Sequence, residues 1–172
     1  MYFLDFDRTT FDADAFTPYL RQKFAGRPVA TLGSVAFATA MNDLVIEGTL
    51  AFAPGELSQF LYEDAGRFLR DKENGVMLIT YGNVALQKAK VESALYGIPR
   101  ISTIYTNLVR KGEYLAPHIG MYGQSPVFVD DSLEELEIFA TKCPSARVFE
   151  MRRDGGAGDG RWSVIHTLTQ LP

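Results

Sequence analysis

Cysteine and histidine are nearly missing from this chain: one of the first and two of the second among 172 residues. The lone Cys143 closes no internal disulfide, so burial must hold the core together, and a reducing cytoplasm is the expected setting. His118 and His166 match no metal-ligand spacing, which argues against a zinc centre and leaves them as surface or packing residues. Positive charge is also in deficit, with 17 Lys and Arg against 21 Asp and Glu and a net charge of -4. Sequence-independent binding to nucleic acid phosphates is therefore not expected. Long apolar runs are absent as well. The most apolar stretch, 76–86, is broken by Thr80, Gly82 and Asn83, far short of a membrane span. No secretory leader is visible, because Asp5 interrupts the opening run. The glycine-rich stretch 155–160 lacks the lysine and the strand-to-helix context of a phosphate loop, and reads as a connection to a last strand.

What the chain does have is the composition of a soluble globular protein, 47% hydrophobic and 22% charged, in a length that suits one domain. Short apolar runs at 2–4, 76–79, 101–105, 127–129 and 147–151 predict buried strands, and 162–166 predicts a sixth. Helical signals fall between them. Thr17-Pro18 suggests a capped helix start, with Gly26 and Pro28 as its end, and 34–44 a second helix. Pro54-Gly55 predicts the opening of a helix with Leu57, Phe60, Leu61, Phe68 and Leu69 on one face, stopped by Asn74-Gly75. Val84, Lys88, Val91 and Leu95 predict the next, ended by Gly97 and Pro99. Ser132 with Glu135 forms a capping-box pattern before Leu136, Phe139 and Ala140.

This alternation predicts an α/β fold: a Rossmann-like open parallel sheet with right-handed crossovers, helices on both faces and a small helical insertion at 11–53 after the first strand. Ligands in such sheets bind beyond the carboxyl ends of the strands. Asp5 with Asp7, Thr80, and Asp130 with Asp131 all fall at such ends. Alone, each has a structural use: Asp and Thr cap helices and turns, and a lysine such as Lys111 is often a solvated charge.

Together the acids are harder to dismiss. Like charges about 4 Å apart repel by about 4 kcal/mol at an effective dielectric near 20, and a cation would relieve this. Carboxylates without His or Cys favour magnesium, which typically contacts substrate phosphate. That makes phosphoryl transfer the leading chemistry, with a hydroxyl from Thr80 and a positive charge from Lys111 as positioned donors.

In this order, Phe3-Leu4-Asp5-Phe6-Asp7-Arg8-Thr9, Leu78-Ile79-Thr80, Lys111 and Val127-Phe128-Val129-Asp130-Asp131, the chain resembles the haloacid dehalogenase-like (HAD) superfamily. The closing Val164-Ile165-His166-Thr167-Leu168 also looks like that family's tail. The resemblance implies a magnesium-dependent phosphatase acting on a small phosphorylated metabolite. Asp5 would be the nucleophile that forms an aspartyl phosphate, and Asp7 the acid that protonates the leaving oxygen and then activates water. It further implies that Thr80 and Lys111 bind the phosphoryl group. Magnesium would be held by the Asp5 carboxylate, the Asp7 main-chain carbonyl and Asp130, with Asp131 orienting water.

Two features depart from the family pattern. Arg8 stands where glycine is usual, and Arg110 competes with Lys111 as the phosphate-site cation. Lys88 and Lys90, well inside a helix, are expected to be too far from the strand ends. Asp7 argues against a dehalogenase, which needs no acid to protonate a halide. A phosphomutase, a receiver-type phosphoacceptor domain and a catalytically silent binding protein stay as alternatives; oligomeric state and the substrate's leaving group stay open.

Overall fold

The protein is described by a computed structural model covering residues 1–72, 75–98, 101–122 and 125–172. The expected helix stops at Asn74 and Pro99 lie outside the described residues. Six parallel strands form one sheet in the order β3-β2-β1-β4-β5-β6. These are β1 (Tyr2–Leu4), β2 (Val76–Tyr81), β3 (Ser102–Thr106), β4 (Val127–Asp130), β5 (Arg147–Met151) and β6 (Ser163–Ile165). The strand order reverses between β1 and β4, and a crevice at that point is where an open α/β sheet binds its ligand.

Strict alternation along the central strands divides the core in two. Leu4, Leu78 and Val129 face the helices α1 (Ala13–Lys23), α2 (Ser34–Ile46), α3 (Glu63–Asp71) and α4 (Val84–Ala94). Phe3, Ile79 and Phe128 face α5 (Lys111–Leu115) and α6 (Leu133–Lys142). The Phe128 ring stacks on Phe139 of α6 at 3.9 Å. The 11–53 segment supplies Phe16, Leu20, Phe24, Phe37, Met41 and Leu50 to the same buried cluster as Leu4, so it rests on the sheet's helical layer.

Three helices differ from the sequence expectation. Helix α1 starts at Ala13, not at Pro18, because the Asp12 carboxylate accepts from Ala15 N at 2.9 Å and caps it. Pro18 then lies inside the helix, where it costs about 3 kcal/mol. Burial of Phe16 and Leu20 on the same helix, at roughly 1.5–3 kcal/mol each, offsets that. The helix expected from Pro54 opens only at Glu63. Side chains of α4 capture the preceding backbone instead: Ser93 Oγ accepts from Leu57 N at 3.1 Å and donates to Ala53 O at 2.7 Å. In α4, Val84 and Lys88 face outward, and the buried face carries Leu86, Gln87, Lys90, Val91 and Ala94.

Candidate active site

At the end of β1 the chain makes a tight loop. Phe6 O accepts from Thr10 N at 3.0 Å and Phe11 N at 2.9 Å, and also from the Thr10 hydroxyl at 3.0 Å. The Phe6 and Phe11 rings stack with centroids 4.8 Å apart. This geometry leaves Arg8 at φ 59°, the one non-glycine residue with positive φ among the described residues. Left-handed backbone costs an L-residue roughly 1–2 kcal/mol, which explains why glycine would suit the position.

Asp5 stays in register with the neighbouring strand by donating its N–H to Val129 O at 2.9 Å, which sets it beside Asp130. Lys111 joins them, its Nζ 2.5 Å from Asp5 Oδ1 and 2.7 Å from Asp130 Oδ2. Residue exposure is 4% or less for all three. Several local features of α5 and α6 aim this lysine. A Cβ on Gly112 would lie 2.7 Å from Phe139 Cα, so only glycine lets α5 sit this close to α6. The Ser132 hydroxyl caps α6, as expected, by accepting from Glu135 N at 3.5 Å. The other half of the capping box is not formed: the Glu135 carboxylate accepts from Lys111 N at 3.1 Å, and Ser132 N donates to Asp130 Oδ1 at 2.9 Å. The helix cap is thus drawn into fixing Lys111 and Asp130. Arg110 lines the same cavity as these acids but pairs with Glu134 and Glu135 and lies over the Tyr81 ring at 5.0 Å.

Thr80, buried at the end of β2, lines a cavity of about 360 Å³ with Asp5, Asp7, Lys111, Asp130 and Asp131. All the residues singled out from the sequence therefore meet at the switch point. Burial pushes the Asp5 carboxyl well above its usual range, and the charges of Asp130 and Asp131 add to this against the pull of Lys111. Burial together with Asp130 raises Asp131 to about 6. Lys111 is held above an ordinary lysine: burial alone would lower it, and the charges of Asp130 and Asp5 more than reverse that.

Oxygens of Asp5, Asp130 and Asp131 lie within 4.8 Å of one another. Three ionised acids against one ammonium leave a formal charge of -2, and all the donors are hard oxygens. This donor set fits a divalent cation such as magnesium. Such a cation would also oppose the effect of burial, which favours the protonated form of Asp5.

Asp7 belongs to a different arrangement, which the sequence reading missed. Lys90 of α4, expected to be too distant, has its Nζ 2.5 Å from Asp7 Oδ1, and Gln87 Nε2 donates to Asp7 Oδ2 at 2.8 Å. Burial would raise Asp7, but the Lys90 charge and the hydrogen bonds from Lys90 and Gln87 prevail and hold it below the usual carboxylate range. The available signal was a lysine at the i+4 position between Leu86 and Ala94 on a buried face, since a lysine is almost never buried without a partner. Beyond Asp7 opens a second cavity, of about 530 Å³, where Phe16 and Leu20 of α1 and Phe37 and Met41 of α2 meet Leu86 of α4. Asp7, Arg8, Ala13 and Tyr81 line both cavities. Asn42 of α2 ties the insertion to α4, its Oδ1 accepting from Ala85 N and Leu86 N at 3.1 and 3.2 Å.

The remaining expectations were of packing. Cys143 is a free, fully buried thiol, and burial raises its pKa. His118 and His166 are exposed. Among the described residues, no helix is long and apolar enough to cross a membrane.

No protein-family model and no curated protein sequence matches the chain, whereas solved structures do. A haloacid dehalogenase-like hydrolase of Burkholderia xenovorans aligns with TM-score 0.67 at 18% identity, over 88% of this chain and 81% of its own. A haloacid dehalogenase-like family hydrolase of Xanthomonas campestris gives 0.54 at 14%, over 95% and 89%. The UTR4 protein of Saccharomyces cerevisiae gives 0.53 at 16%, over 99% of both chains. Sheet order, the carboxylates at its switch point and these structural matches agree that the protein has the haloacid dehalogenase-like fold.

Proposed function

We propose that the protein is a magnesium-dependent phosphohydrolase of small phosphorylated metabolites, acting in the cytoplasm as a single domain with 11–53 as a small cap. The observation that carries this reading is the joining of Asp5 and Asp130 by one buried lysine, at 2.5 and 2.7 Å, beside Thr80 and Asp131 in one cavity. Four elements distant in sequence converge there on a site with excess negative charge.

In this mechanism an Asp5 oxygen attacks phosphorus in line with the leaving oxygen, forming an aspartyl phosphate. Lys111 holds both the nucleophile and the phosphoryl oxygens, and the Thr80 hydroxyl donates to one of those oxygens. Lys90 and Gln87 favour the carboxylate form of Asp7, so Asp7 would relay a proton from the incoming phosphate monoanion to the leaving oxygen, and then as a carboxylate take one from the attacking water. Magnesium, held by the Asp5 carboxylate, the Asp7 carbonyl and Asp130, with Asp131 orienting its water, would neutralise phosphoryl charge and favour ionised Asp5. The second cavity would take the leaving group. Its size and its apolar wall from the cap make hydrolysis of an organic monoester the preferred reading over mutase chemistry, which must exclude water.

The test is hydrolysis of p-nitrophenyl phosphate and of a phosphate-ester panel with magnesium. Wild type should turn over, and Asp5→Asn should lose at least about 10³-fold. Equal inactivity of both proteins across the panel would sink the reading.

A further inference from the structure

Lys90 is unusual in what surrounds it. Its Nζ lies 5.6, 5.2 and 5.4 Å from the ring centroids of Phe6, Phe11 and Phe16, within the range of cation–π attraction. It also donates to Gln87 Oε1 at 3.1 Å and to Asp7 Oδ1 at 2.5 Å. A buried ammonium caged by three rings has few alternative positions. Gln87, bonded to Lys90 through its oxygen and to Asp7 through its nitrogen, closes the arrangement, so each Asp7 oxygen has its own donor on α4.

We infer that Lys90 and Gln87 are positioning residues that clamp the Asp7 carboxylate for the second half of the reaction, breakdown of the aspartyl phosphate. The inference rests on the phosphohydrolase reading. In that step the water oxygen bonds to phosphorus and its proton passes to Asp7. The phosphorus–oxygen bond to Asp5 breaks, and its electron pair returns to the Asp5 carboxylate as inorganic phosphate leaves. A base must lie at one fixed distance and angle from the water to act here, and a carboxylate free to rotate loses that. The three phenylalanines come from the β1 loop and α1, so the clamp also joins the cap to the reacting end of β1.

p-Nitrophenyl phosphate separates this role from a merely structural one. Its leaving group departs as a stable phenolate and needs no proton from Asp7, so phosphorylation of Asp5 should proceed in a clamp variant while dephosphorylation slows. Lys90→Met keeps the side-chain volume. It should lower kcat by about 10- to 100-fold and lower KM with it, leaving kcat/KM within about 3-fold of wild type. Stopped-flow traces should show a burst of about one p-nitrophenolate per site before the slow phase. Gln87→Leu retains the ion pair, guards against a folding defect, and should give the same signature with a smaller fall in kcat. If kcat/KM falls with kcat and no burst appears in either variant, or if kcat is unchanged in both, the clamp is overturned while the hydrolase reading stands. A wild type inactive on every ester overturns both.

Discussion

Two buried lysines reach the acids at the end of β1 from opposite faces of the sheet, and they do different things there. Lys111 arrives from α5 on the Phe3 and Phe128 face and bridges Asp5 to Asp130, with Asp131 close by. Lys90 arrives from α4 on the Leu4 face and meets the single carboxylate of Asp7 inside an aromatic cage. One lysine against three acids leaves room for a dication, whereas one lysine against one acid leaves none. The site thus has a charge-deficient half, with acids in excess over cations, which on the proposed reading would take metal and phosphate, and a neutral half, which on that reading would fix the proton carrier.

Removing Lys111 should produce the largest effect. Lys111→Met leaves buried carboxylates unpaired, which typically costs 3–5 kcal/mol, and should lower phosphatase activity by at least about 10³-fold. Urea denaturation in EDTA measures the first, and magnesium should recover more stability in this variant than in wild type. The wild-type response to the metal comes next in size: magnesium at 100 times its Kd should stabilise by about 2.7 kcal/mol, seen as a rise in Tm that Asp130→Asn abolishes. An equal rise in both proteins would show that the metal binds elsewhere.

The two halves should also answer pH with opposite slopes. Asp131 is raised to about 6, so in metal-free protein the stability present below its unfolded pKa is lost as pH rises from about 4 through 6. That loss is about 3 kcal/mol. Asp7 is held low by Lys90 and Gln87 against the effect of burial; its contribution is present above the unfolded pKa and fades as pH falls through the folded one. Denaturation across pH 3–8 in EDTA should therefore become flatter between pH 4 and 6 in Asp131→Asn, and lose part of its acid-side rise in Asp7→Asn. Matching profiles for both variants would remove the distinction.

The charge-deficient half was readable from the sequence because each of its acids follows a short apolar strand, and strand ends are where such sheets gather ligands. The expected 2–4 and 147–151 strands coincide with β1 and β5. Lys111 was picked out by its place in the pattern of the family the chain resembles, and only the folded chain distinguishes it from Arg110: Lys111 bridges Asp5 and Asp130, while Glu134 and Glu135 hold Arg110. The neutral half was only partly readable: Asp7 stood out, and the spacing of Lys90 with Leu86 and Ala94 pointed to burial, but nothing in the sequence joined the two. Distance along a helix axis put Lys90 about two turns from the start of α4, but the loop after β1 folds Phe6 and Phe11 against that helix and carries Asp7 to it. Loop geometry of this kind leaves no periodic trace. Pro54-Gly55 misled for a related reason: Ser93, 36 residues from Leu57, decides the backbone partner there.

Arg8 stands where the two halves join, lining both cavities, and its replacement should have the smallest effect on stability. Its guanidinium is held bidentately by Asp14 of α1 at 2.9–3.2 Å, and Asp131 lies 4.0 Å away. Both partners of the Asp14 pair are more than half exposed, so the pair contributes about 0–1 kcal/mol. Arg8→Gly relieves left-handed strain of roughly 1–2 kcal/mol but frees the unfolded chain by roughly 0.5–1 kcal/mol. These terms nearly cancel, and stability should stay within about 1 kcal/mol of wild type. Arg8→Val, β-branched at the same φ, loses the pair and deepens the strain, and should destabilise by roughly 2 kcal/mol. Equal Tm values for Arg8→Gly and Arg8→Val would show that the backbone there is not held left-handed, and that Asp7 could then leave the clamp.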